Sequence, residues 1–481
     1  MAISLREKLS YGVAGAGGDL SYGMTNAFFS NYLTDNLKIR PGYLSGMFLL
    51  CRVWDGINDP MMGTLVDNTR TRLGRFRPWI LAGGILNAFV LVMMFTNPGF
   101  AAGGVGAYVY ATVAYLLWGM SYTIFDIPYW SFVPALARDP KERNTIASIP
   151  RFFCGVGQGA VSLLTVAMVD RLGHGNEPLG FHRWAMILAG AYILLVVITV
   201  TGTKERYTPE KKESLTLKKA FVTIKSNDQL LFFMITAICF NTGWYLTNGL
   251  GVYYFKHVLQ RYELYAVFAA IVAVGQMLGL VLFTTLSNKY TKRPVILGAM
   301  GFSAVGYLAL FLLRNYRGKA LGNVRFPDAD GALVLDSGFI LFAFFAFICC
   351  IGIGAMFVAE TVMLADVVDY GEFKLGYRTD SIVFSMKSFL LKVAYSIQGL
   401  IMGIGLEIGK YNTADAATQP QSAKTAICVM AFAIPVILIA LSFLVFVRKY
   451  KLHGDFYDEI MQKLRVKHAE EEGRSLDEAE A

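Results

Sequence analysis

Residues 425–447 are TAICVMAFAIPVILIALSFLVFV, an apolar segment that contains no charged residue. A helix needs about 20 consecutive apolar residues to cross the hydrocarbon core of a bilayer, and this segment meets that length. It therefore predicts a membrane-spanning helix near the end of the chain.

The rest of the chain has the same apolar character. Of its 481 residues, 55% are hydrophobic and only 16% are charged. A soluble protein cannot bury that much apolar surface, because its surface-to-volume ratio is too high, so an ordinary soluble enzyme is excluded. We predict an all-α integral membrane protein with twelve transmembrane helices, at approximately 9–34, 42–66, 78–97, 104–136, 144–170, 183–203, 229–255, 262–288, 294–313, 336–368, 379–408 and 425–447.

The distribution of positive charge predicts the orientation of these spans. The formal net charge is +9, and the chain contains 44 Lys and Arg residues. On the predicted topology most of them fall on the side that carries both termini and the loop 204–228. Because Lys and Arg are retained on the cytoplasmic side of a membrane, we expect both termini to be cytoplasmic, in a bacterial inner membrane. The basicity thus indicates orientation, and no nucleic-acid partner is expected.

A short basic turn precedes a helix-starting proline once in each half of the chain. Residues 72–79 are RLGRFRPW, and residues 292–294 are KRP. Proline is favoured in the first turn of a helix, so both motifs mark the start of a span. This repeat predicts two pseudo-symmetric six-helix halves, the architecture of the major facilitator superfamily. The predicted parts are an N-terminal half 1–203, a cytoplasmic loop 204–228, a C-terminal half 229–447 and a cytoplasmic tail 448–481.

Nine charged residues lie deep inside the predicted spans, at least seven residues from either end. Each costs at least about 2.5–3.5 kcal/mol to insert at the centre of a helix, so each needs a reason to be there. One reason is mutual ion pairing that only stabilises helix packing, and this applies best to Arg52, one turn before Asp55. The other is function. The nine residues are Asp19, Arg52, Asp55, Asp59, Asp126, Arg151, Glu360, Lys387 and Lys392.

The second span contains a group of oxygen-bearing side chains. Asp55, Asn58 and Asp59 are spaced i, i+3 and i+4 and therefore share one face of a helix. Two carboxylates and an amide oxygen suit a hard monovalent cation such as Na⁺ or Li⁺, and a hydroxyl from Thr123 would complete the shell. Two close carboxylates also raise each other's affinity for a proton, so the same site could carry H⁺.

The fourth span pairs an acid with an indole. Asp126 and Trp130 lie one turn apart on the same face. The carboxylate can accept hydrogen bonds from two sugar hydroxyls, and the indole can cover the apolar C–H face of a pyranose. Pro128 lies between them, which is common where a span lines a cavity. The alternative is a tryptophan that anchors the membrane interface.

At these residues the chain resembles the glycoside–pentoside–hexuronide:cation symporter family of the major facilitator superfamily. The motifs that carry the resemblance are Gly18-Asp19, RVWDGINDP at 52–60, GRFRPW at 74–79, DIPYWS at 126–131, PRFF at 150–153 and ADVVDYGE at 365–372. The resemblance implies a cation site at Asp55, Asn58, Asp59 and Thr123. It implies sugar contacts at Asp19, Tyr122, Asp126, Trp130 and Arg151. It also implies substrate-binding residues in the C-terminal half at Phe357, Lys387, Ser388 and Lys392, with Lys392 near the cation-site carboxylates.

Four residues depart from the melibiose-permease-like members of that family. Phe357 replaces Trp, Lys387 and Glu360 each replace Gln, and Gly18 replaces a Lys. These changes affect which sugar is bound. Two opposite charges gained on sequential helices suggest that Glu360 pairs directly with Lys387. The alternative is that Lys387 is free to bind an acidic sugar such as a uronide.

Taken together, these residues predict a secondary active transporter that imports a sugar or glycoside with Na⁺, Li⁺ or H⁺. The coupling cation is the only cofactor expected, and we expect a functional monomer in the lipid bilayer. Two other classes stay open at this point. A membrane sugar sensor would bind sugar without transporting it. A polytopic membrane enzyme could use paired aspartates for proteolysis. That class would need a catalytic motif on the second helix to act with Asp19 of the first, and the second helix contains none.

Overall fold

The computed structural model describes residues 4–136, 140–206, 227–314, 323–326, 333–376, 380–415 and 418–472. Its first six helices are α1 (Leu5–Met24, continuing through the π-helical turn Thr25–Phe29 into Ser30–Asp35), α2 (Pro41–Asn68), α3 (Arg77–Met94), α4 (Val105–Ser131, followed by the turn Val133–Leu136), α5 (Pro140–Gly173) and α6 (Glu177–Gly202).

The second half of the sequence repeats this arrangement with additions. Its elements are α7 (Asp228–Tyr253, continuing through the π-helical turn Tyr254–Val258), α8 (Leu264–Lys289), α9 (Lys292–Leu312), β1 (Asn323–Phe326), β2 (Leu333–Asp336), α10 (Ser337–Leu375), α11 (Asp380–Ile408), α12 (Gln421–Cys428, Val429–Ala433 and Ile434–Lys449) and α13 (Gly454–Glu472). The all-α fold class predicted from the sequence is therefore confirmed.

Proline marks the starts of several helices, as predicted. Helix α2 begins at Pro41, and α3 begins at Arg77, directly before Pro78. Helix α9 begins at Lys292, two residues before Pro294. Proline is tolerated there because the first turn of a helix has no intrahelical partner for its N–H groups.

Nine helices in the described part of the chain are long and apolar enough to cross a membrane. Helices α1, α2 and α4 are not among them. Helices α1 and α2 contain Asp19, Asp55 and Asp59 and are also rich in glycine and polar residues, all of which lower the mean hydropathy. The count of twelve spans stays a prediction.

Helix α10 and the strands β1 and β2 differ from the predicted bounds and loops. Helix α10 continues to Leu375, beyond the predicted end at 368, because hydropathy reports depth in the membrane and a helix can extend into water. The strands β1 and β2 form an antiparallel hairpin in which Asn323 lies opposite Asp336. The predicted topology contains no strands at these positions.

The chain divides into two compact units. Unit 1 comprises Met1–Lys211, Asn248–Ala270 and Gly399–Ile427, and unit 2 comprises Lys212–Thr247, Ile271–Gln398 and Cys428–Ala481. Unit 1 therefore includes two segments from the second half of the sequence. The division of the sequence into halves at 204–228 stays a prediction.

Close packing of small residues positions helix α1 within unit 1. A Cβ atom added at Gly157 of α5 would collide with the backbone oxygen of Ala16. A Cβ atom added at Gly18 would lie only 2.7 Å from the Phe125 ring of α4. Glycine allows such close approach of helix backbones in membranes. Asp19 is thereby held at the junction of α1, α4 and α5.

Unit 2 is built around the long helix α10. This helix packs on α9 where a Cβ atom added at Gly306 would lie 2.5 Å from Cβ of Cys349. It packs on α8 where a Cβ atom added at Gly275 would lie 2.9 Å from Cβ of Cys350. Both cysteines are buried, as expected of small apolar packing residues.

Candidate functional site

The first group of predicted site residues lies on α2 in unit 1. Asp55 is 5% exposed, and its Oδ2 accepts a hydrogen bond of 3.0 Å from Nη1 of Arg52. Arg52 also donates to the hydroxyl of Tyr115 on α4, at 3.2 Å. The Asp55 carboxylate is therefore neutralised by a guanidinium one turn away, the ion pair that the spacing had suggested.

The second carboxylate of the group contacts α4. Oδ1 of Asp59 accepts a hydrogen bond from the Thr123 hydroxyl at 3.1 Å. Thr123 is 6% exposed, so this bond is protected from water. The structure thus brings together the two residues that the sequence had placed in one cation shell from different helices.

The side-chain amide of Asn58 and the backbone of Gly119 lie near the two carboxylates. Nδ2 of Asn58 is buried and has no hydrogen-bond partner among the described residues. On α4, a Cβ atom added at Gly119 would lie 3.0 Å from Oδ1 of Asp55. A larger residue at 119 would therefore contact the carboxylate, whereas glycine leaves that oxygen clear. A buried N–H donor without a partner is costly. This nitrogen cannot bind a cation, so the cation ligand that Asn58 would supply is its Oδ1.

The second group of site residues surrounds Trp130. Oδ1 of Asp126 accepts a hydrogen bond of 2.9 Å from the indole N–H. The Arg151 guanidinium of α5 lies 5.6 Å from the centre of the indole ring, in cation–π range. Arg151 is exposed, whereas Trp130 is partly buried against the core of unit 1. An acid, an aromatic face and a guanidinium are therefore adjacent.

Asp19 and Tyr122 are the other predicted sugar contacts in unit 1. The Asp19 carboxylate lies close to the Cys154 thiol of α5. The Tyr122 ring stacks on Trp118, with centroids 5.5 Å apart, and lies 5.4 Å from the ring of Tyr22. The aromatic side chains fix the Tyr122 ring, so little rotamer entropy remains to be lost when a ligand binds.

A buried polar network behind these residues was not recognised in the sequence. The Ser21 hydroxyl donates to Oδ1 of Asn87 at 2.6 Å, and Nδ2 of Asn87 donates to the Ser121 hydroxyl at 2.9 Å. The Trp118 indole donates to Ser21 at 3.0 Å. Polar groups that would be costly alone in a membrane satisfy each other here. The network joins α1, α3 and α4 and so positions the helices that carry the site.

The remaining predicted site residues belong to unit 2. Phe357 lies on α10 and is partly buried, and Lys392 lies on α11 and is partly buried. Lys387 and Ser388 are on α11, but their side chains fall outside the described residues. Glu360 is 3% exposed, and its Oε1 accepts a hydrogen bond of 2.6 Å from Nδ2 of Asn241 on α7.

The contact with Asn241 was not predicted, because periodicity does not show which distant helices are neighbours. The proposed pair between Glu360 and Lys387 is not tested by the described residues and stays a prediction. Asn241 lies inside an apolar span, which was the one signal in the sequence that could have drawn attention to it.

Helix α4 connects the two groups of unit 1. Thr123 and Asp126 are three residues apart and lie on adjacent positions of one helix face. Thr123 contacts the Asp59 carboxylate, and Asp126 holds the Trp130 indole. Chemically, the first group can coordinate a hard cation, and the second can bind a ring that carries hydroxyls on its edge and C–H groups on its face.

Comparisons with known proteins agree on the class of molecule. The model of the family described as MFS/sugar transport protein matches residues 10–454. The chain is 28% identical to the putative glycoside/cation symporter YagG of Escherichia coli (strain K12) over 480 residues, which cover 99% of this chain and 98% of that protein. It is 28% identical to the isoprimeverose transporter of Lactiplantibacillus pentosus over 409 residues, which cover 84% and 80%.

Solved structures show the same fold at low sequence identity. The xylose transporter XylE from E. coli, in a partially occluded inward open conformation, has a TM-score of 0.59 at 13% identity and covers 92% of this chain and 99% of its own. The nucleoside transporter NupG has a TM-score of 0.60 at 16% identity and covers 92% and 100%. At these identities the likeness concerns the fold alone.

Proposed function

The chain belongs to the MFS/sugar transport protein family, and from this premise we propose that it imports a sugar or glycoside together with Na⁺, Li⁺ or H⁺. The family predicted from the sequence motifs is confirmed by this membership and by the symporters that the chain matches. The protein is a multi-pass membrane transporter for secondary active sugar transport and not an enzyme. The substrate, the coupling cation and the residues that bind them are the content of the proposal.

The contact between Asp126 and Trp130 carries the proposal for the sugar site. The 2.9 Å hydrogen bond fixes the carboxylate at the edge of the indole, so its second oxygen is left for hydroxyl groups. The guanidinium over the indole adds charge-assisted donors at the same place. A pyranose on the free part of the indole face would meet all three groups, which favours a sugar over an apolar substrate.

The cation site is proposed at Asp55, Asn58, Asp59 and Thr123. The contact of Asp59 with Thr123 brings two of these ligands together, and Asn58 lies on the same face of α2 as Asp55 and Asp59, where its Oδ1 would be the third. Arg52 already neutralises Asp55 in this structure. A monovalent cation that binds Asp55 and Asp59 would therefore have to share Asp55 with this guanidinium or displace it.

Alternating access would couple the two ligands. In major facilitator folds the two halves expose a central site first to one side of the membrane and then to the other. If the cation and the sugar both favour the same state, each raises the population of the state that the other binds. We place the protein in the bacterial inner membrane as a monomer, with both termini in the cytoplasm.

A transport assay in proteoliposomes tests this proposal. Uptake of radiolabelled glucosides, galactosides, pentosides and uronides is measured under an imposed gradient of Na⁺, Li⁺ or H⁺. We expect concentrative uptake of one sugar class with at least one cation. Thr123→Val should reduce the cation stimulation, whereas Thr123→Ser keeps the hydroxyl and should retain it. Sugar binding without transport under every gradient would instead identify a sensor.

A further inference from the structure

A second buried polar cluster lies in unit 1 at the end of α1 and contains none of the predicted site residues. Its centre is Asp35, which is 6% exposed. Oδ2 of Asp35 lies 3.0 Å from Nε2 of His257 and 3.0 Å from Nζ of Lys256. Its Oδ1 accepts a hydrogen bond of 2.6 Å from the Tyr411 hydroxyl. One carboxylate therefore contacts residues that follow it by more than two hundred positions.

The neighbours of this cluster leave no unused acceptor on Asp35. Asn31 donates to Oδ2 at 3.0 Å and Thr34 donates to Oδ1 at 3.1 Å. Around His257, Nε2 is also 2.8 Å from the Tyr411 hydroxyl and 3.5 Å from Nδ2 of Asn31. A carboxylate with this many partners has its geometry stabilised more than the same contacts would do individually. Within the described residues, Oδ1 of Asn31 is the buried atom of this group that has no partner.

A second acid extends the cluster to α6. Nζ of Lys256 forms an ion pair with Oε1 of Glu177 at 2.6 Å, in addition to its contact with Asp35. The Lys256 ammonium also lies 5.8 Å from the centre of the Tyr262 ring. Two acids and one lysine thus meet beside a histidine, at the point where α1, α6 and α7 end or begin.

The cluster joins the end of α1 to two segments from the second half of the sequence. Lys256 and His257 lie in the π-helical turn Tyr254–Val258 that ends α7, and Tyr411 follows α11. Both belong to the second half of the sequence, yet they pack in unit 1. π-Helical turns are frequent at functional positions because they break the regular hydrogen-bond pattern of a helix.

We propose that Asp35, Lys256, His257 and Tyr411 form a latch, here named the α1 latch, that holds segments 248–270 and 399–427 on α1 in one state of the transport cycle and releases them in the other. This inference rests on the alternating-access part of the proposed function. The N-terminus is at the opposite end of α1, so the positive-charge distribution places the latch at the outer side of the membrane.

The chemistry of the cluster suits a contact that must open and close. An apolar seal loses its stabilisation when it opens, because its surface becomes exposed to water. Charged and hydroxyl groups find new hydrogen bonds in water, so the free energy difference between the closed and open latch is small. Removal of one partner in the closed state, in contrast, leaves a buried charge less satisfied. Two arrangements of similar free energy are what a conformational switch needs.

Hydrogen–deuterium exchange of the full-length protein in nanodiscs, without sugar or coupling cation, tests the latch. Tyr411→Phe keeps the ring but removes the hydroxyl that contacts Asp35 and His257. We expect amide exchange in residues 248–258 and 405–415 to accelerate about tenfold or more, the effect of losing a hydrogen bond to a charged group. Asp35→Asn should accelerate exchange in the same two segments.

The matched control is Tyr110→Phe. The Tyr110 hydroxyl donates to the backbone oxygen of Met93 at 2.7 Å within the first six helices, and its loss should not change exchange in either segment. Equal acceleration in the control, or acceleration spread over all of unit 1 including α3, would overturn the latch, since both indicate general loosening. Because no ligand is present, an incorrect sugar or cation site would leave the expected result unchanged.

Discussion

Trp130 offers a graded test of the sugar site. Trp130→Phe removes the indole N–H, which donates to Asp126 at 2.9 Å, but keeps an aromatic face. A hydrogen bond to a charged group contributes about 1.5–3 kcal/mol, and each 1.4 kcal/mol is a factor of about ten in affinity. A sugar hydroxyl can replace the lost donor, so we expect the affinity to fall by about tenfold, the lower end of that range.

Trp130→Ala removes the aromatic face as well. Truncation of a buried aromatic at the centre of a binding site typically costs about 2–4 kcal/mol, so affinity should fall by about thirty-fold to several hundred-fold. Arg151, whose guanidinium lies 5.6 Å from the ring centre, loses its cation–π partner in the same variant. Because an aromatic face contacts C–H groups of any pyranose, all pyranosides should lose affinity by a similar factor.

Asp126→Asn distinguishes this interpretation from a structural one. A carboxylate that binds hydroxyls directly should discriminate between epimers, so the loss should depend on the stereochemistry of the sugar. The assay is isothermal titration calorimetry of a panel of epimeric glycosides on the purified protein. Trp184→Phe is the matched control for Trp130→Phe. The Trp184 indole donates to the Thr165 hydroxyl at 3.0 Å, and neither residue belongs to the proposed site. Equal losses for every epimer in Asp126→Asn would refute the sugar contact and leave a role in helix packing.

Three further predictions test other parts of the structure. Asp59→Asn or Asp55→Asn should abolish cation-stimulated uptake and leave some sugar binding, since the sugar contacts lie on other residues. Uptake into proteoliposomes measures the first effect, and equilibrium binding of the sugar measures the second. Glu360→Gln and Lys387→Gln should each impair transport, because each leaves a charge uncompensated in a span, and the double change should largely restore it. Asn87→Ala should lower the free energy of unfolding by about 1–3 kcal/mol, because its hydroxyl partners lose their hydrogen bonds, and thermal unfolding in detergent measures this.

Each of these has its own contradicting result. Full concentrative uptake by either aspartate variant would show that the cation binds elsewhere. A double mutant worse than both single mutants, or selective loss of an acidic sugar with Lys387→Gln alone, would remove the pair with Glu360. An unchanged unfolding temperature for Asn87→Ala would mean that the buried network contributes nothing to stability.

Much of the fold could be predicted because hydropathy and proline are local signals. The end of α11 at Ile408 and the start of α3 beside Pro78 agree with the predicted spans to within one residue. The i, i+3, i+4 spacing on α2 placed Asp55 and Asp59 on one face, and the hydroxyl expected from another helix proved to be a neighbour of Asp59. These features depend on helix geometry, which the sequence shows directly.

Contacts between distant helices could not be predicted in the same way. The hydrogen bond from Asn241 of α7 to Glu360 was not predicted, whereas the expected pair of Glu360 with Lys387 stays a prediction. Asp35 and His257 lay at predicted span ends and carried no motif, so nothing in the sequence indicated that they meet. Side-chain partners of this kind depend on which helices pack together, and a period of 3.6 residues contains no information about that.

The central claim is that cation and sugar binding are coupled through α4. Calorimetry measures it most directly, by titrating the sugar with and without Na⁺, Li⁺ or added protons, and then titrating the cation with and without the sugar. Linkage requires both experiments to give the same factor, and we expect that factor to exceed one and to fall towards one in Thr123→Val. A sugar affinity that is unaffected by Na⁺, Li⁺ and pH would contradict the claim.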